Sequence, residues 1–189
     1  MIIKIDKLIF KDDGDCIIRY MDGRVFCHIA KVANGYYIYN VKGEQIAQML
    51  FGKKSCDLVL ANPYLPKESS YTLHLLKNGN FAVTPLEIDE LRDRRFIERL
   101  QKEQEVSVLN KAEFTLVGDF REYNYDIYRG SIAAGNVLPH EDDAYFKVRI
   151  NEGGNIVRVM MLALAIDRLC FEKPRDRKVK KKIFKYQHG

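Results

Sequence analysis

Residues 156–172, IVRVMMLALAIDRLCFE, contain eight consecutive apolar side chains, from Val159 to Ile166. A helix that is apolar on every side must be buried on every side, because an exposed face would leave hydrophobic surface in water. Seventeen helical residues span about 25 Å and a strand of seven residues about 23 Å, so this helix is as long as a small barrel is tall. The segment therefore predicts a central helix enclosed by a β-sheet, with a helical hairpin packed on one sheet face as the alternative.

Polar side chains lie near both ends of this helix. Arg158 is near the first end, and Asp167, Arg168 and Glu172 are near the second. We expect these residues to mark the places where the helix reaches water. For Asp167 two other roles remain open: capping the end of a neighbouring strand, or pairing with an arginine inside the mouth of the barrel.

Alternation of apolar and polar residues with a period of two recurs along the chain and is typical of half-buried strands. It is clearest in CIIRY at residues 16–20, VFCHI at 25–29 and YTLHLL at 71–76. Three dipeptides supply the glycine that tight hairpin turns favour: Asp22-Gly23, Lys42-Gly43 and Asn78-Gly79. With further strands after residue 112, about ten to twelve antiparallel strands and one long apolar helix predict an all-β sandwich or a closed barrel.

A second, charged helix is predicted between the two runs of strands, at residues 84–106. Thr84 as the N-cap, Pro85 at the first helical position and Glu87 three residues after the cap form a helix-start signature. Twelve charged residues lie between positions 87 and 105, so this helix is expected to dock on the barrel surface by one narrow apolar edge.

Length and composition indicate one domain. The chain has 189 residues, of which 47% are hydrophobic, and we expect residues 1–173 to form a single barrel. The first residues show no signal-peptide pattern, and no apolar run reaches the roughly 18 residues of a membrane span. A cytoplasmic location, with peripheral attachment to a membrane as an option, is the expectation. The four cysteines form no C-x-x-C pair and are expected to be reduced.

The net charge of +5 is concentrated at the end of the chain. Residues 175–189 carry a net charge of +6, so the preceding residues together carry −1. Residues 174–189, the basic tail, are either a solvated chain end or a binding segment for an anionic partner such as a membrane surface, a phosphoinositide-like lipid or nucleic acid. The candidate binding residues are the seven cations of the tail: Arg175, Arg177, Lys178, Lys180, Lys181, Lys182 and Lys185.

Catalytic and metal-binding motifs are sparse in this sequence. It contains no nucleophile elbow, Walker loop or dinucleotide fingerprint. One compact cluster, His140, Glu141, Asp142 and Asp143, offers imidazole and oxygen ligands that a divalent cation accepts. We expect no cofactor and no enzymatic activity. A metal or catalytic site at this cluster is the alternative hypothesis.

The second half of the chain resembles the tubby C-terminal-like superfamily, in particular the LURP-one-related proteins and their phospholipid scramblase relatives. The resemblance covers about residues 112–172. It rests on YDIY at 125–128, SIA at 131–133, a strand with Asp143, Tyr145 and residues 147–150, and AID at 165–167 within the hydrophobic helix. The resemblance implies a twelve-stranded closed antiparallel barrel around a central hydrophobic helix, and a role in binding lipid or protein.

The leading functional hypothesis is a non-catalytic binding or scaffold module that contacts an anionic partner, such as membrane phospholipid, through the basic tail. Two alternatives stay open. The first is a nucleic-acid-binding protein that uses the same tail. The second is an enzyme or metal-binding protein with its site near residues 140–143.

Overall fold

The description below rests on a computed structural model of the chain. It covers residues 1–7, 9–10, 15–33, 35–60, 70–85, 114–152 and 154–171. Outside these ranges lie the basic tail and nearly all of the predicted surface helix at 84–106.

Twelve antiparallel strands form a closed barrel in which each strand pairs with its neighbours in the chain and β1 pairs with β12. Closure leaves no unpaired sheet edge, which removes the usual route to edge-to-edge association. The strands are β1 Ile2–Asp6, β2 Cys16–Tyr20, β3 Val25–Val32, β4 Gly35–Asn40, β5 Gln45–Phe51, β6 Ser55–Leu60, β7 Tyr71–Leu75, β8 Phe81–Pro85, β9 Phe114–Asp119, β10 Asn124–Arg129, β11 Ile132–Pro139 and β12 Tyr145–Ile150. The predicted fold class is confirmed.

The alternation in sequence corresponds to inward and outward side chains. In β12, Phe146, Val148 and Ile150 are buried while Arg149 is exposed. The glycines of the three predicted hairpin turns have φ angles of 86°, 79° and 86°, in the left-handed region that glycine adopts without strain. Two strands, β1 and β6, were not identified in the sequence analysis, although Ile3 to Asp6 of β1 also alternate.

One helix, α1, spans Ile156–Phe171 and runs through the interior of the barrel. The eight residues from Val159 to Ile166 are each at most 2% exposed. The helix contacts β5, β6 and β7 on one side and β11 and β12 on the other, far apart in the ring of strands. The predicted central helix is therefore confirmed, and the helical hairpin is excluded for these residues.

The prediction that the surface helix begins at Thr84 and Pro85 is wrong. Thr84 and Pro85 belong to β8, where Thr84 lies opposite Thr72 and Pro85 opposite Tyr71 on β7. The reason is that β7 pairs with β8 up to its last residue, and the proline sits at this strand end, where one missing N–H is tolerated. The rest of that helix prediction, from residue 86 onward, falls outside the described residues.

The two open ends of the barrel are named here by the direction of α1. The start rim is the end where α1 begins, shortly after β12. The exit rim is the end where α1 finishes at Phe171. Because neighbouring strands are antiparallel, the turns after odd-numbered strands lie at the exit rim and those after even-numbered strands at the start rim.

Two thiols are buried inside the barrel, Cys27 and Cys56. The Cys27 thiol donates to the Met160 sulfur of α1 at 3.7 Å. Burial raises the pKa of Cys27 to about 12 and raises that of Cys56 well above its ordinary value. Since the thiolate is the nucleophilic form, these cysteines are packing residues with little reactivity.

The shifted thiol pKa predicts a loss of stability at alkaline pH. Above pH 9, its ordinary pKa, Cys27 of the unfolded chain loses its proton while the buried thiol keeps it up to about pH 12. The free energy of unfolding should therefore fall as pH rises through this window, by up to about 1.4 kcal/mol per pH unit for this group. Urea titrations at pH 8 to 10.5 should show a shallower decline for Cys27→Ala. Parallel declines in the two proteins would contradict the prediction.

Candidate functional site

A cavity of about 100 Å³ opens at the start rim, beside the first turn of α1. Its polar lining consists of Arg129 from β10, Asn155 just before α1, and Arg158 in the first turn of α1. The remaining described residues that line it are Phe114, Ile132, Ala134, Gly154 and Val159. We call this space the start-rim cavity.

Asn155 fixes the beginning of α1 next to this cavity. Its side-chain oxygen accepts from the backbone N–H of Arg158 at 3.1 Å, and its backbone oxygen accepts from Val159 at 3.0 Å. This is the N-cap arrangement expected for asparagine. Gly154 precedes it so closely packed that a Cβ at this position would collide with the backbone oxygen of Ala134. The local sequence thus holds both the helix start and the cavity wall in place.

Arg158 is half-buried, so it is partly exposed near the start of the helix. Its guanidinium carbon lies 5.1 Å from the centre of the Tyr71 ring, which places the charge against an aromatic face. Its Nε is fully buried and has no hydrogen-bond acceptor among the described residues. The first turn of α1 carries no acidic residue, so no carboxylate there offsets this charge or the positive end of the helix dipole.

At the exit rim, Asp167 is only 1% exposed, so the expectation that it marks a point of contact with water is wrong. Its carboxylate accepts a hydrogen bond of 2.6 Å from the Tyr123 hydroxyl. The Tyr123 ring in turn stacks on Phe146 and Phe171, at 4.9 Å and 5.2 Å between ring centres. Burial, then the hydrogen bond and charge of Asp167, raise the pKa of Tyr123, so the hydroxyl stays a proton donor. The carboxylate is thus accommodated inside the barrel by a buried tyrosine.

The neighbouring Arg168 packs against three aromatic rings of the exit rim. Its guanidinium carbon is 4.1 Å from the ring centre of Phe51, 5.3 Å from Tyr36 and 5.9 Å from Phe10. Cation–π contacts of this kind fix a charge in a partly apolar setting. The end of α1 is therefore held to the barrel on two sides, by Asp167 and by Arg168.

Exposed lysines are concentrated along one part of the exit rim, which we call the lysine arc. It comprises Lys31, Lys53, Lys54 and Lys77, from the end of β3 and from the turns after β5 and β7. These turns are neighbours because β3 to β8 are consecutive in the ring. The turn after β9 carries one charge of each sign, Arg121 and Glu122, and the turn after β11 carries the acidic residues 141–143. The rim therefore has a basic part and a mainly acidic part.

The candidate metal-binding loop at His140–Asp143 lies in the acidic part of this rim. His140 Nδ1 and the Asp142 carboxylate accept backbone N–H bonds of 2.9 Å from Asp142 and Ala144. Asp143 Oδ1 lies 3.9 Å from Nζ of Lys7, which follows the neighbouring strand β1. Within the described ranges, no three His, Cys, Asp or Glu side chains are grouped in a way that would hold a metal ion. Two of the four candidate side chains serve the turn itself.

The predicted binding residues of the basic tail, from Arg175 to Lys185, lie outside the described residues. The last described residue before the tail, Phe171, lies at the exit rim. Sequence reasoning missed that Arg129 and Arg158, which are on different elements, line the same cavity. The available signal was Arg158 itself, the one cation in the first two turns of an apolar helix.

Comparisons with known proteins support the fold and give no information on function. No family model matches the chain, and no curated protein matches it. In the part of the chain that the structure describes, no helix has the length and hydrophobicity needed to cross a membrane. A protein from Arabidopsis thaliana, AT5G01750, whose X-ray structure is known, has a similar fold. The similarity covers 87% of this chain and 88% of that chain, with 13% sequence identity and a TM-score of 0.51.

Proposed function

We propose that this protein is a non-catalytic binding module of the tubby-like, LURP-one-related type that docks on anionic phospholipid surfaces. The contact surface is the exit rim, through the lysine arc and the basic tail. The membrane contact would combine a defined part of the barrel with the seven tail cations. The protein would then lie at the membrane periphery, on the cytoplasmic side.

The observation that carries the proposal is the position of the lysine arc. Its exposed lysines lie on the same rim from which α1 ends and the chain continues toward Arg175. Each Lys or Arg near an anionic membrane surface contributes about 1 kcal/mol of attraction. A basic rim, and a basic tail that follows the end of α1 at the same rim in the chain, would together be attracted to one anionic surface.

The interior of the barrel supports a binding role over a catalytic one. Side chains of α1 occupy it, and the buried thiols of Cys27 and Cys56 are held in the protonated form. The buried pair Tyr123 and Asp167 is stacked between aromatic rings and fixes the end of the helix. These groups serve packing, so recognition is expected on the outer surface of the barrel.

The test is sedimentation of the full chain with vesicles of phosphatidylcholine alone or mixed with phosphatidylserine. Replacing Lys53, Lys54 and Lys77 by glutamine should lower the affinity for the mixed vesicles about tenfold or more. A second full-length variant, with the seven tail cations replaced by glutamine, should lose more. Binding of the unaltered chain should weaken with added salt because the attraction is screened.

The matched control removes three positive charges elsewhere, by replacing Arg19, Lys42 and Arg149 with glutamine. These exposed residues lie on β2, in the turn after β4 and on β12, away from the exit rim. An equal loss of binding in the control and in the lysine-arc variant would contradict the proposal. Preferential displacement of the vesicles by an oligonucleotide would instead favour a nucleic-acid partner.

A further inference from the structure

We propose that residues 86–113 of this chain dock on the outer face of β6, β7 and β8. The side chains that form this face, which we call the covered face, are Asp57, Thr72, His74, Ala82 and Thr84. Residues 86–113 lie outside the described ranges, so the observations that follow concern the face itself and the two points at which the segment joins the barrel. This contact is separate from the membrane contact at the exit rim.

The covered face is buried although its side chains point away from the barrel interior. Phe81 and Val83 belong to the hydrophobic core, so Ala82 between them points outward. Ala82 is only 1% exposed, yet it is not part of that core. Thr72 also points outward, between two core residues of β7, and is 7% exposed. Outward side chains of a barrel are buried only when something packs over them.

This burial is strongest on β7 and β8. On β9, the next strand in the ring, the outward Val117 is 54% exposed, and on β2 the outward Ile17 is 41% exposed. Among the described elements, the main contacts of β7 are with β6 and β8 at its sides and with α1 inside the barrel. Since α1 is inside, these contacts do not cover the outer face. We therefore look for the cover in the chain outside the described ranges.

The polar side chains of the covered face are paired with one another, as expected for groups removed from water. The Thr72 hydroxyl donates to the Asp57 carboxylate at 2.8 Å, and His74 Nε2 lies 3.2 Å from the Thr84 hydroxyl oxygen. Burial raises the pKa of Asp57 and lowers that of His74, and both shifts disfavour the charged form. The face therefore suits an apolar partner surface better than a charged one.

The attachment points of residues 86–113 place this segment beside the covered face. β8 ends at Pro85 and β9 begins at Phe114, so the 28 residues between them leave and rejoin the barrel on neighbouring strands at the start rim. Ala82 is three residues from the end of β8, about 10 Å along a strand, which is a short distance for a segment of this length.

The segment also carries the apolar side chains that the face requires. Ile88, Leu91, Ile97 and Leu100 are interspersed among its charged residues. Packing them on the covered face removes their apolar surface from water while the charged side chains stay solvated. The narrow apolar edge predicted from the sequence then has a defined place on the barrel.

The test measures how fast a cysteine at position 82 reacts with iodoacetamide in the full chain. The two half-buried native cysteines, Cys16 and Cys170, are first replaced by serine. Ala82→Cys should then react about tenfold or more slowly than Val117→Cys, the exposed outward position on β9. Equal rates at the two positions would show that the face is not covered and would overturn the proposal.

A pair of apolar substitutions in the segment should uncover the face. Leu91→Ser together with Leu100→Ser should raise the reaction rate of Ala82→Cys about tenfold or more. The matched control, Asp93→Ser with Arg99→Ser, alters the same segment without changing the net charge and should leave the rate within about twofold. Circular dichroism establishes that each variant is folded.

The remaining outcomes assign the face to another occupant and overturn the proposal. Protection that persists in the variant with both leucines replaced, and is lost in Leu65→Ser, would assign the face to residues 61–69. Protection that is lost on dilution would assign it to a second copy of the chain. Protection that none of these changes relieves would also exclude residues 86–113 as the cover.

A second measurement serves if the variant with both leucines replaced fails to fold. A photoreactive amino acid at position 91 should form crosslinks to residues 55–60, 71–75 or 81–85 of the same chain. Crosslinks to other strands alone would overturn the proposal. The lysine arc and the basic tail are unaltered in all these variants, so this proposal and the membrane proposal can fail separately.

Discussion

Replacing Leu164 with alanine is expected to lower the free energy of unfolding by about 2–5 kcal/mol. Leu164 lies in the middle of α1 and is 0% exposed, with the barrel wall around it. The closed ring of hydrogen-bonded strands cannot move inward freely to fill the lost volume, so the upper half of the range is expected. The measurement is equilibrium unfolding in urea, followed by far-ultraviolet circular dichroism.

The matched control for Leu164→Ala is Val41→Ala. Val41 lies in the turn after β4 and is 63% exposed, so its truncation should change the free energy of unfolding by no more than about 0.5 kcal/mol. A cost below about 1 kcal/mol for Leu164→Ala would show that α1 is not enclosed by the barrel.

Replacing Tyr123 with phenylalanine should lower the free energy of unfolding by about 1.5–3 kcal/mol, the range for hydrogen bonds to charged groups. The change removes the hydroxyl that donates to Asp167 at 2.6 Å and leaves the ring stacking in place. Because Asp167 is 1% exposed, water cannot easily replace the lost donor. The half-buried Tyr128 on β10, the strand that begins directly after Tyr123, provides the same substitution as a control.

A double-mutant cycle separates the contribution of charge from that of shape. In an Asp167→Asn background the acceptor is a neutral amide oxygen, and Tyr123→Phe should then cost only about 0.5–1.5 kcal/mol. Equal costs of Tyr123→Phe in the two backgrounds would mean that the charge of Asp167 adds nothing to this hydrogen bond.

The architecture was predictable from the sequence because its two periodic signals are local. The alternation in β2, β3, β7 and β12 places every second side chain inward, and the hairpin glycines mark the turns between strands. An apolar run with no polar face leaves few places for a helix other than the inside of a sheet. A protein from Arabidopsis thaliana with 13% sequence identity has a similar fold.

The errors and omissions arise where distant parts of the chain meet. The helix-start signature at Thr84 is local, whereas the pairing of Thr84 with Thr72 that overrides it depends on another strand. Asp167 was expected to face water because it is a charged residue near a helix end. Its hydrogen-bond donor, Tyr123, is 44 residues earlier in the chain, so the sequence gives no local sign of the contact. The lining of the start-rim cavity combines Arg129 of β10 with Arg158 of α1, and no spacing in the sequence indicates that they lie at one cavity.

The pairing of β1 with β12 has a consequence for how the chain folds. Ile2 lies opposite Arg149. One edge of β1 therefore stays unpaired until β12 has been synthesised, almost 150 residues later. Contacts between such distant residues slow folding, because the entropy of closing the loop is lost before the contacts form. During synthesis the growing chain therefore holds an open sheet whose apolar face lacks both its closing strand and its central helix. Chaperones that shield apolar surface are expected to matter most during that interval, until α1 has emerged from the ribosome.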